Sequence, residues 1–307
     1  MKKDLLSIYD LERRDIDLIF QRAALLKERL KKGEIYKPLL GKTLGLIFDK
    51  SSTRTRISFE VGMYQLGGLA IFLSSRDTQL GRGENIADTA RIMSRYLDGV
   101  MIRTFEQRMV EDFAALASIP VINGLTDLLH PCQILSDIFT LIEKRGGYEG
   151  LKIAYIGDGN NVANSWINAA VRLPIFLSLA CPEGYDPDPV ILKRAMGEAP
   201  DRIMIQREPF AAVKNADVVY TDVWTSMGQE SEREKRTKIF KPYQINATLL
   251  AQAGKDALIM HCLPAHRGEE ITGEVIDGAH SVIIDQAENR LHVQKAILEI
   301  LLKNGGC

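Results

Sequence analysis

The sequence predicts an α/β protein with two doubly wound parallel-sheet domains joined by bridging helices, and a C-terminal helix packing back on the first domain. Three observations carry this. Short apolar runs of strand length alternate with helical patterns in each half of the chain, which is how parallel sheets with crossover helices read. The length, 307 residues, is enough for two cores. A helical pattern from Pro131 to Lys144 ends at Arg145-Gly146-Gly147, which sets a boundary near residue 147 with that helix as the bridge. The domains are therefore 1–147 and 148–286, with a last helix of about 287–307 returned to the first.

In order along the chain, Leu5, Ile8, Leu11, Ile16, Ile19, Phe20, Ala23, Leu26 and Leu30 repeat at helical spacing up to Lys32, and Gly33 ends the run. Thr43 to Phe48 is an unbroken apolar stretch, expected for a strand buried on both faces. A helix follows with Ile57, Val61 and Tyr64 on one face. Gly67-Gly68 turns into a second strand, Leu69 to Leu73. Ser74 to Asn85 is polar and glycine-bearing, a loop pattern. Helix Ile86–Leu97, strand Val100–Arg103, helix Glu106–Ala117 and strand Val121-Ile122 complete the first sheet. The second half repeats the alternation in the segments Lys152–Ile156, Val162–Arg172, Ile175–Ala180, Asp188–Met196, Arg202–Ile205, Val218–Asp222, Leu258–Met260 and Val282–Asp285. Gln229 to Lys238 is a run of mixed charge, expected to be solvated and mobile. Leu291, Val293, Ala296, Ile297, Ile300 and Leu301 give the last helix its apolar stripe.

Composition narrows the function classes. A formal net charge of -1 gives no general field for nucleic acid or anionic membrane. No apolar run approaches the roughly 20 residues of a membrane span, and Met1-Lys2-Lys3-Asp4 lacks the apolar core of a secretory signal. Cysteines 132, 181, 262 and 307 are scattered without a CxxC pair, which suggests neither a disulfide framework nor a zinc knuckle and fits a reducing cytoplasm.

The chemistry centres on Ser51-Ser52-Thr53-Arg54-Thr55-Arg56, where the first strand feeds a helix. Backbone N–H groups at such a terminus lack helical partners and the dipole is positive, so the turn attracts anions. Hydroxyls and two guanidiniums strengthen that toward phosphate. The plain alternative is a capped helix with solvated arginines.

Ser52-Thr53-Arg54-Thr55-Arg56 followed by Ser58-Phe59-Glu60 resembles the carbamoyl-phosphate signature of the aspartate/ornithine carbamoyltransferases, and the resemblance runs from about Leu5 to about Ala296. It implies that 1–147 binds carbamoyl phosphate and 148–286 the acceptor amine. It implies phosphate contacts from Ser52, Thr53, Arg54, Thr55 and Arg103, and from Gln79 on a loop reaching a neighbouring subunit of a homotrimer or a multiple of trimers. Arg82, in the same loop, has no assigned role. Arg103 stands at the carboxyl end of a strand, the edge where open α/β sheets bind ligands, although an arginine there is often only a surface charge.

His130-Pro131-Cys132-Gln133 matches the family tetrad. His130 precedes a proline that can begin a helix, so the imidazole and the Gln133 amide share one helix terminus. There the histidine can polarise a carbonyl and the amide can bind the leaving side of the same carbamoyl group; a capping histidine and a buried amide are the alternative. Cys132 is expected to be a packed thiol, within the donor-binding tetrad. Arg290 resembles the family residue that reaches the carbamoyl oxygen.

Gly157-Asp158-Gly159-Asn160-Asn161 follows a strand but lacks the third glycine of a dinucleotide fingerprint, so NAD is discounted. The resemblance makes Asn161 an amino-acid contact instead. Strand 218–222 delivers Asp222 to its carboxyl end, where a carboxylate can pair with an α-ammonium. Ser226-Met227-Gly228 resembles the loop of the ornithine-specific members. In His261-Cys262-Leu263-Pro264, adjacent side chains at a strand end diverge, which argues against a Cys–His couple, and zinc lacks further ligands at proper spacing. The resemblance places Cys262 and Leu263 beside the ornithine side chain and its δ-amine; whether Cys262 takes a proton is open. The reaction implied is transfer of a carbamoyl group from carbamoyl phosphate to the δ-amine of ornithine, giving citrulline and phosphate, within arginine biosynthesis, with no metal and no organic cofactor. Catabolic use, or putrescine, aspartate or an acylated ornithine as acceptor, are the alternatives.

Overall fold

A computed structural model of the chain describes residues 2–74, 85–225 and 230–304. The chain divides into two compact units, 1–139 with 289–307, and 140–288. Gln79, Arg82, Ser226 and Met227 lie outside the described residues.

In the first unit the order is α1 (Arg13–Lys31), β1 (Thr43–Phe48), α2 (Thr53–Leu66), β2 (Leu69–Ser74), α3 (Ile86–Tyr96), β3 (Gly99–Arg103), α4 (Gln107–Leu116), β4 (Val121–Leu125) and α5 (Pro131–Arg145). Helix α1 opens with a reciprocal capping box between Glu12 and Asp15 and ends beside Gly33, whose φ of +69° suits a residue without Cβ. The four strands are parallel in the order β2-β1-β3-β4. From β1 the chain steps outward to β2, then crosses back to β3 on the other side. The strand order therefore reverses between β1 and β3, which are in register from Leu44↔Gly99 to Phe48↔Arg103. That reversal leaves a crevice outside the carboxyl ends of the two strands, where α/β sheets accept ligands.

The second unit continues with β5 (Lys152–Ile156), α6 (Asn161–Arg172), β6 (Phe176–Ala180), α7 (Pro189–Glu198), β7 (Ile203–Gln206), α8 (Pro209–Val213), β8 (Val218–Thr221), α9 (Arg233–Phe240), α10 (Ala247–Leu250), β9 (Leu258–His261) and α11 (Gly273–Ile276). Its five strands are parallel in the order β7-β6-β5-β8-β9. The reversal here falls between β5 and β8, paired through Ile153↔Val218 to Tyr155↔Tyr220. Trp166 and Tyr220 are fully buried and meet edge to face at 5.6 Å beneath that point.

The last helix, α12 (Ile283–Asn304), corrects one element: Val282–Asp285 is not a strand. Only Ser281 makes a bridge, to Ile259, and the helix begins two residues later. β-branched residues at a helix start read as a strand because three apolar residues are too few to reveal a period. The helix spans the division between the units, as does α5, cut between Phe139 and Thr140. From Asn289 on, α12 belongs to the first unit: Val293, Ala296, Ile297 and Leu298 are fully buried, each large aliphatic side chain worth about 1.5–3 kcal/mol. Arg22 of α1 clamps Glu299 with two donors, and Lys27 Nζ donates to Asn289 Oδ1 at 2.7 Å. Within the 229–238 run, residues 231–235 and Lys238 are exposed as expected, but α9 covers Arg233–Phe240 and its Arg236 is only 4% exposed.

Candidate active site

In the first unit the anion turn forms as the residues dictate. Ser52 caps α2, accepting from Thr55 N–H at 3.3 Å, and donates its own hydroxyl to Thr55 Oγ1 at 3.1 Å. Thr53 is exposed and Thr55 buried. Arg54 is partly buried, and its Nε has no hydrogen-bond partner among the described residues. A guanidinium N–H withdrawn from water and left unbonded is a costly donor that an oxyanion would satisfy. Arg56 turns away, donating to Glu60 Oε1 at 2.9 Å with its guanidinium 3.8 Å from the Phe72 ring. The turn thus presents one arginine, not two, because the second points down the exposed face of the helix.

Around this turn stand three further groups from the same unit. Arg103, at the end of β3, is 8% exposed and donates from Nε to the Lys50 carbonyl at 3.2 Å. Arg290, 4% exposed on α12, donates from Nη2 to Thr55 Oγ1 at 2.8 Å. His130 is 5% exposed, and burial, then Arg290, then Arg103, hold its pKa well below the usual histidine value. It is therefore a neutral imidazole at neutral pH, able to donate one N–H without adding charge.

Pro131 begins α5. Cys132 is fully buried, its thiol directed to the Asn123 carbonyl at 3.5 Å and pushed up to about 12 by burial. Gln133 donates from Nε2 to Asp137 Oδ1 at 2.8 Å, while its Oε1 is buried with no partner among the described residues. The Gln133 atom with no bond of its own is therefore an acceptor. That suits the N–H2 of a carbamoyl group better than an anionic leaving oxygen.

The second unit gathers its groups where β5 and β8 end. Gly157 adopts φ +138°, and a Cβ on Gly159 would stand 2.3 Å from the Asp186 carbonyl carbon and Pro187 nitrogen, so the turn closes tightly on 185–187. Asn160 caps α6, accepting from Val162 and Ala163 N–H, and gives its amide to Asp222 Oδ2 at 2.7 Å. Asn161 is the first residue of α6 and is partly exposed. Asp222, 7% exposed, also accepts on Oδ1 from Val223 N–H at 2.7 Å and from the Cys262 thiol at 2.8 Å.

His261 and Cys262 take different partners. His261 Nε2 meets Glu270 Oε1 at 3.2 Å, and its Nδ1 accepts from Leu263 N–H at 2.8 Å. Leu263 holds φ +56°, a left-handed backbone that costs a branched residue about 1–2 kcal/mol. The donor atoms of Asp222, His261 and Cys262 lie within 4.8 Å of one another, as do those of His266, Glu269 and Glu270. Every residue of the first trio is already hydrogen bonded, so a metal there would have to displace those bonds.

The structure adds Asp158, Asn160, Arg236, His261 and Glu270 to the groups around this site. The signal for Arg236 was faint: an arginine four residues before Phe240, followed by Tyr243, in a run otherwise polar. Asn160 was readable as an N-cap two residues before Val162.

Two family models match the chain. The aspartate/ornithine carbamoyltransferase carbamoyl-P binding domain matches residues 3–143, and the Asp/Orn binding domain of the same family matches 149–301. An ornithine carbamoyltransferase of Syntrophus aciditrophicus is 72% identical over 302 residues, 98% of this chain and 100% of that one. The solved ornithine carbamoyltransferase of Pyrococcus furiosus superposes with a TM-score of 0.94 at 50% identity, covering 98% of this chain and 97% of the other. An anabolic ornithine carbamoyltransferase from Campylobacter jejuni gives 0.91 at 42% identity, covering 98% and 99%.

Proposed function

The chain belongs to the aspartate/ornithine carbamoyltransferase family, and from that premise we propose that it carries the carbamoyl group of carbamoyl phosphate to the δ-amine of L-ornithine, giving L-citrulline and phosphate. The observation that carries this is the convergence of Thr55, Arg103, Arg290 and a neutral His130 on the turn after β1.

In this reading residues 1–147, with the last helix from about 287, hold the donor. The N-terminus of α2, with Ser52, Thr53, Arg54 and Thr55, takes the phosphate together with Arg103 and a neighbour's Gln79. Thr55, Arg103, Arg290 and His130 donate to the carbonyl oxygen. These bonds matter most when attack turns that oxygen into the oxyanion of a tetrahedral intermediate. Because His130 is neutral, it donates without placing a third cation beside the two arginines. Gln133 Oε1 accepts from the carbamoyl N–H2, which fixes the rotation of the planar group.

Residues 148–286 hold the acceptor: Asp222 takes the α-ammonium, with Asn161, Ser226 and Met227 around the α-carbon, and Cys262 and Leu263 along the side chain. The δ-amine, whose free pKa is near 10, must reach the carbonyl carbon uncharged. Its nitrogen forms the new C–N bond as the carbonyl π pair moves onto oxygen, and the return of that pair then breaks the C–O bond to phosphate. Phosphate departs with the bonding pair and takes up the proton that the attacking amine gives up as the product forms. Carbamoyl phosphate is already activated, so the chemistry asks for no organic cofactor. The anabolic direction, toward arginine, and a trimer completed by the Gln79 loop are parts of the same proposal. No helix among the described residues is long and apolar enough to cross a membrane.

A ureido-product assay with carbamoyl phosphate and each amine in turn tests the reading. Citrulline from ornithine at a kcat/KM far above that for putrescine, aspartate or acetylornithine is expected. Product from putrescine but not ornithine overturns the acceptor assignment.

A further inference from the structure

We propose that Arg236 is a positioning residue for the acceptor site, tying the turn after β5 to the segment after β8 and so fixing the Asn160–Asp222 pair. The proposal rests on the acceptor reading above.

Helix α9 is short and mostly exposed, yet Arg236 is turned inward and nearly inaccessible. Its Nε donates to the Trp224 carbonyl, and its Nη2 meets Asp158 Oδ2 at 2.5 Å. The guanidinium lies 4.7 Å from the Tyr185 ring centre and 5.1 Å from that of Phe240. Two hydrogen-bond partners and two neighbouring aromatic rings, themselves 4.8 Å apart, therefore hold the group, a fixed geometry that a flexible ammonium cannot copy.

The two partners are informative. Asp158 stands two residues before Asn160, and Trp224 two residues after Asp222. Asn160 Nδ2 bonded to Asp222 Oδ2 at 2.7 Å completes a closed ring through Arg236, Asp158, Asn160, Asp222 and Trp224. Opening the ring at Arg236 frees both strand-end turns at once. A buried ion pair is weak support for stability, since desolvation offsets most of the attraction. The placement of this one, across the two turns that form the acceptor carboxylate, accounts for it better. The ring holds one guanidinium, bonded to Asp158, and a second carboxylate, Asp222, bonded to Asn160, which leaves one negative charge, the number a single α-ammonium cancels. Glu232, 3.9 Å from Nη1, is 57% exposed and screened by water.

The test is steady-state kinetics of the full chain as wild type, R236M, R236K and D158N/R236M, varying each substrate at saturation of the other. R236M is expected to raise the KM of the acceptor about ten- to hundredfold while the KM of carbamoyl phosphate stays within about twofold, the scale of losing charge-assisted hydrogen bonds. R236K, with one compact head group for two partners, should fall between. The double variant leaves no lone buried charge, so it should melt like the wild type yet keep the raised acceptor KM, because nothing holds the Trp224 carbonyl. A double variant with wild-type acceptor KM, or single variants that raise both KM values alike, would overturn the proposal. Wild-type citrulline formation is scored separately. If another amino acid proves to be the acceptor, the functional reading fails, and the ratio of variant to wild-type KM for that amino acid still decides the role of Arg236.

Discussion

Arg290 Nη2 donates to Thr55 Oγ1 at 2.8 Å, joining two residues 235 positions apart. The last helix thereby delivers a guanidinium to the anion turn of the first strand, inside one compact unit. Thr55 keeps its bond to Ser52 without Arg290, so the turn survives removal of the guanidinium. Arg290→Ala should therefore lower kcat by about 10²- to 10³-fold, the usual loss for one oxyanion donor, with a melting temperature close to that of the wild type. Stopped assays at saturating substrates check it. A kcat within threefold of wild type would remove Arg290 from the oxyanion group.

His130 gives a stability prediction. Its folded pKa lies well below 6.5, through burial first and the two arginines next, whereas in the unfolded chain it titrates near 6.5. A depressed histidine contributes stability that is fully present above the unfolded value and lost as pH falls toward the folded one. The wild type should lose up to about 1.4 kcal/mol per pH unit below 6.5 from this group, and His130→Asn should lack that part of the slope. Urea melts at intervals from pH 7.5 to 5 compare the two; parallel slopes would sink the assignment of a neutral histidine.

Much of this was legible because strand ends and helix starts leave strong local marks. The run Thr43–Phe48, the hydroxyl cap at Ser52 and the proline after His130 fix where side chains emerge. Parallel strands buried on both faces are hard to mistake once their ends are marked. What stayed hidden depended on long-range pairing. Nothing local announces that Arg236 meets Asp158 from 78 positions away, or that the Cys262 thiol turns to Asp222 rather than to its neighbour His261. The false strand at 282–285 has the same root, since Val282 followed by a helix opening with Ile283-Ile284 shows no period at so short a length.

Asp158 runs in the opposite sense to His130. Burial raises its pKa to about 6, with Asp222 and Glu232 adding to the rise and Arg236 opposing it. A carboxyl that binds its proton more tightly in the folded state than in the unfolded one, near 3.8, adds stability as pH falls from about 6 to about 4. The two-unit difference corresponds to about 3 kcal/mol across that window. Asp158→Asn should not show it. Subtracting the two urea-melt series isolates this group from the other carboxyls, and a difference that is flat with pH would mean Asp158 is not so perturbed.

The thiols separate by environment. Burial pushes Cys132 up to about 12 and Cys181 higher still, so both stay protonated and unreactive in the native protein. Cys262 is only partly buried, with its S–H on Asp222 Oδ1. A Cys307→Ser background keeps the C-terminal thiol out of the count. There a disulfide reagent should modify one cysteine in the native state and two more on unfolding, with Cys262 carrying the first label by peptide mapping. Carbamoyl phosphate with norvaline, an α-amino acid of ornithine's chain length lacking the δ-amine, should slow that first reaction if the thiol lies beside the acceptor. Native labelling of Cys132, or a Cys262 rate indifferent to the ligands, would contradict the arrangement around Asp222.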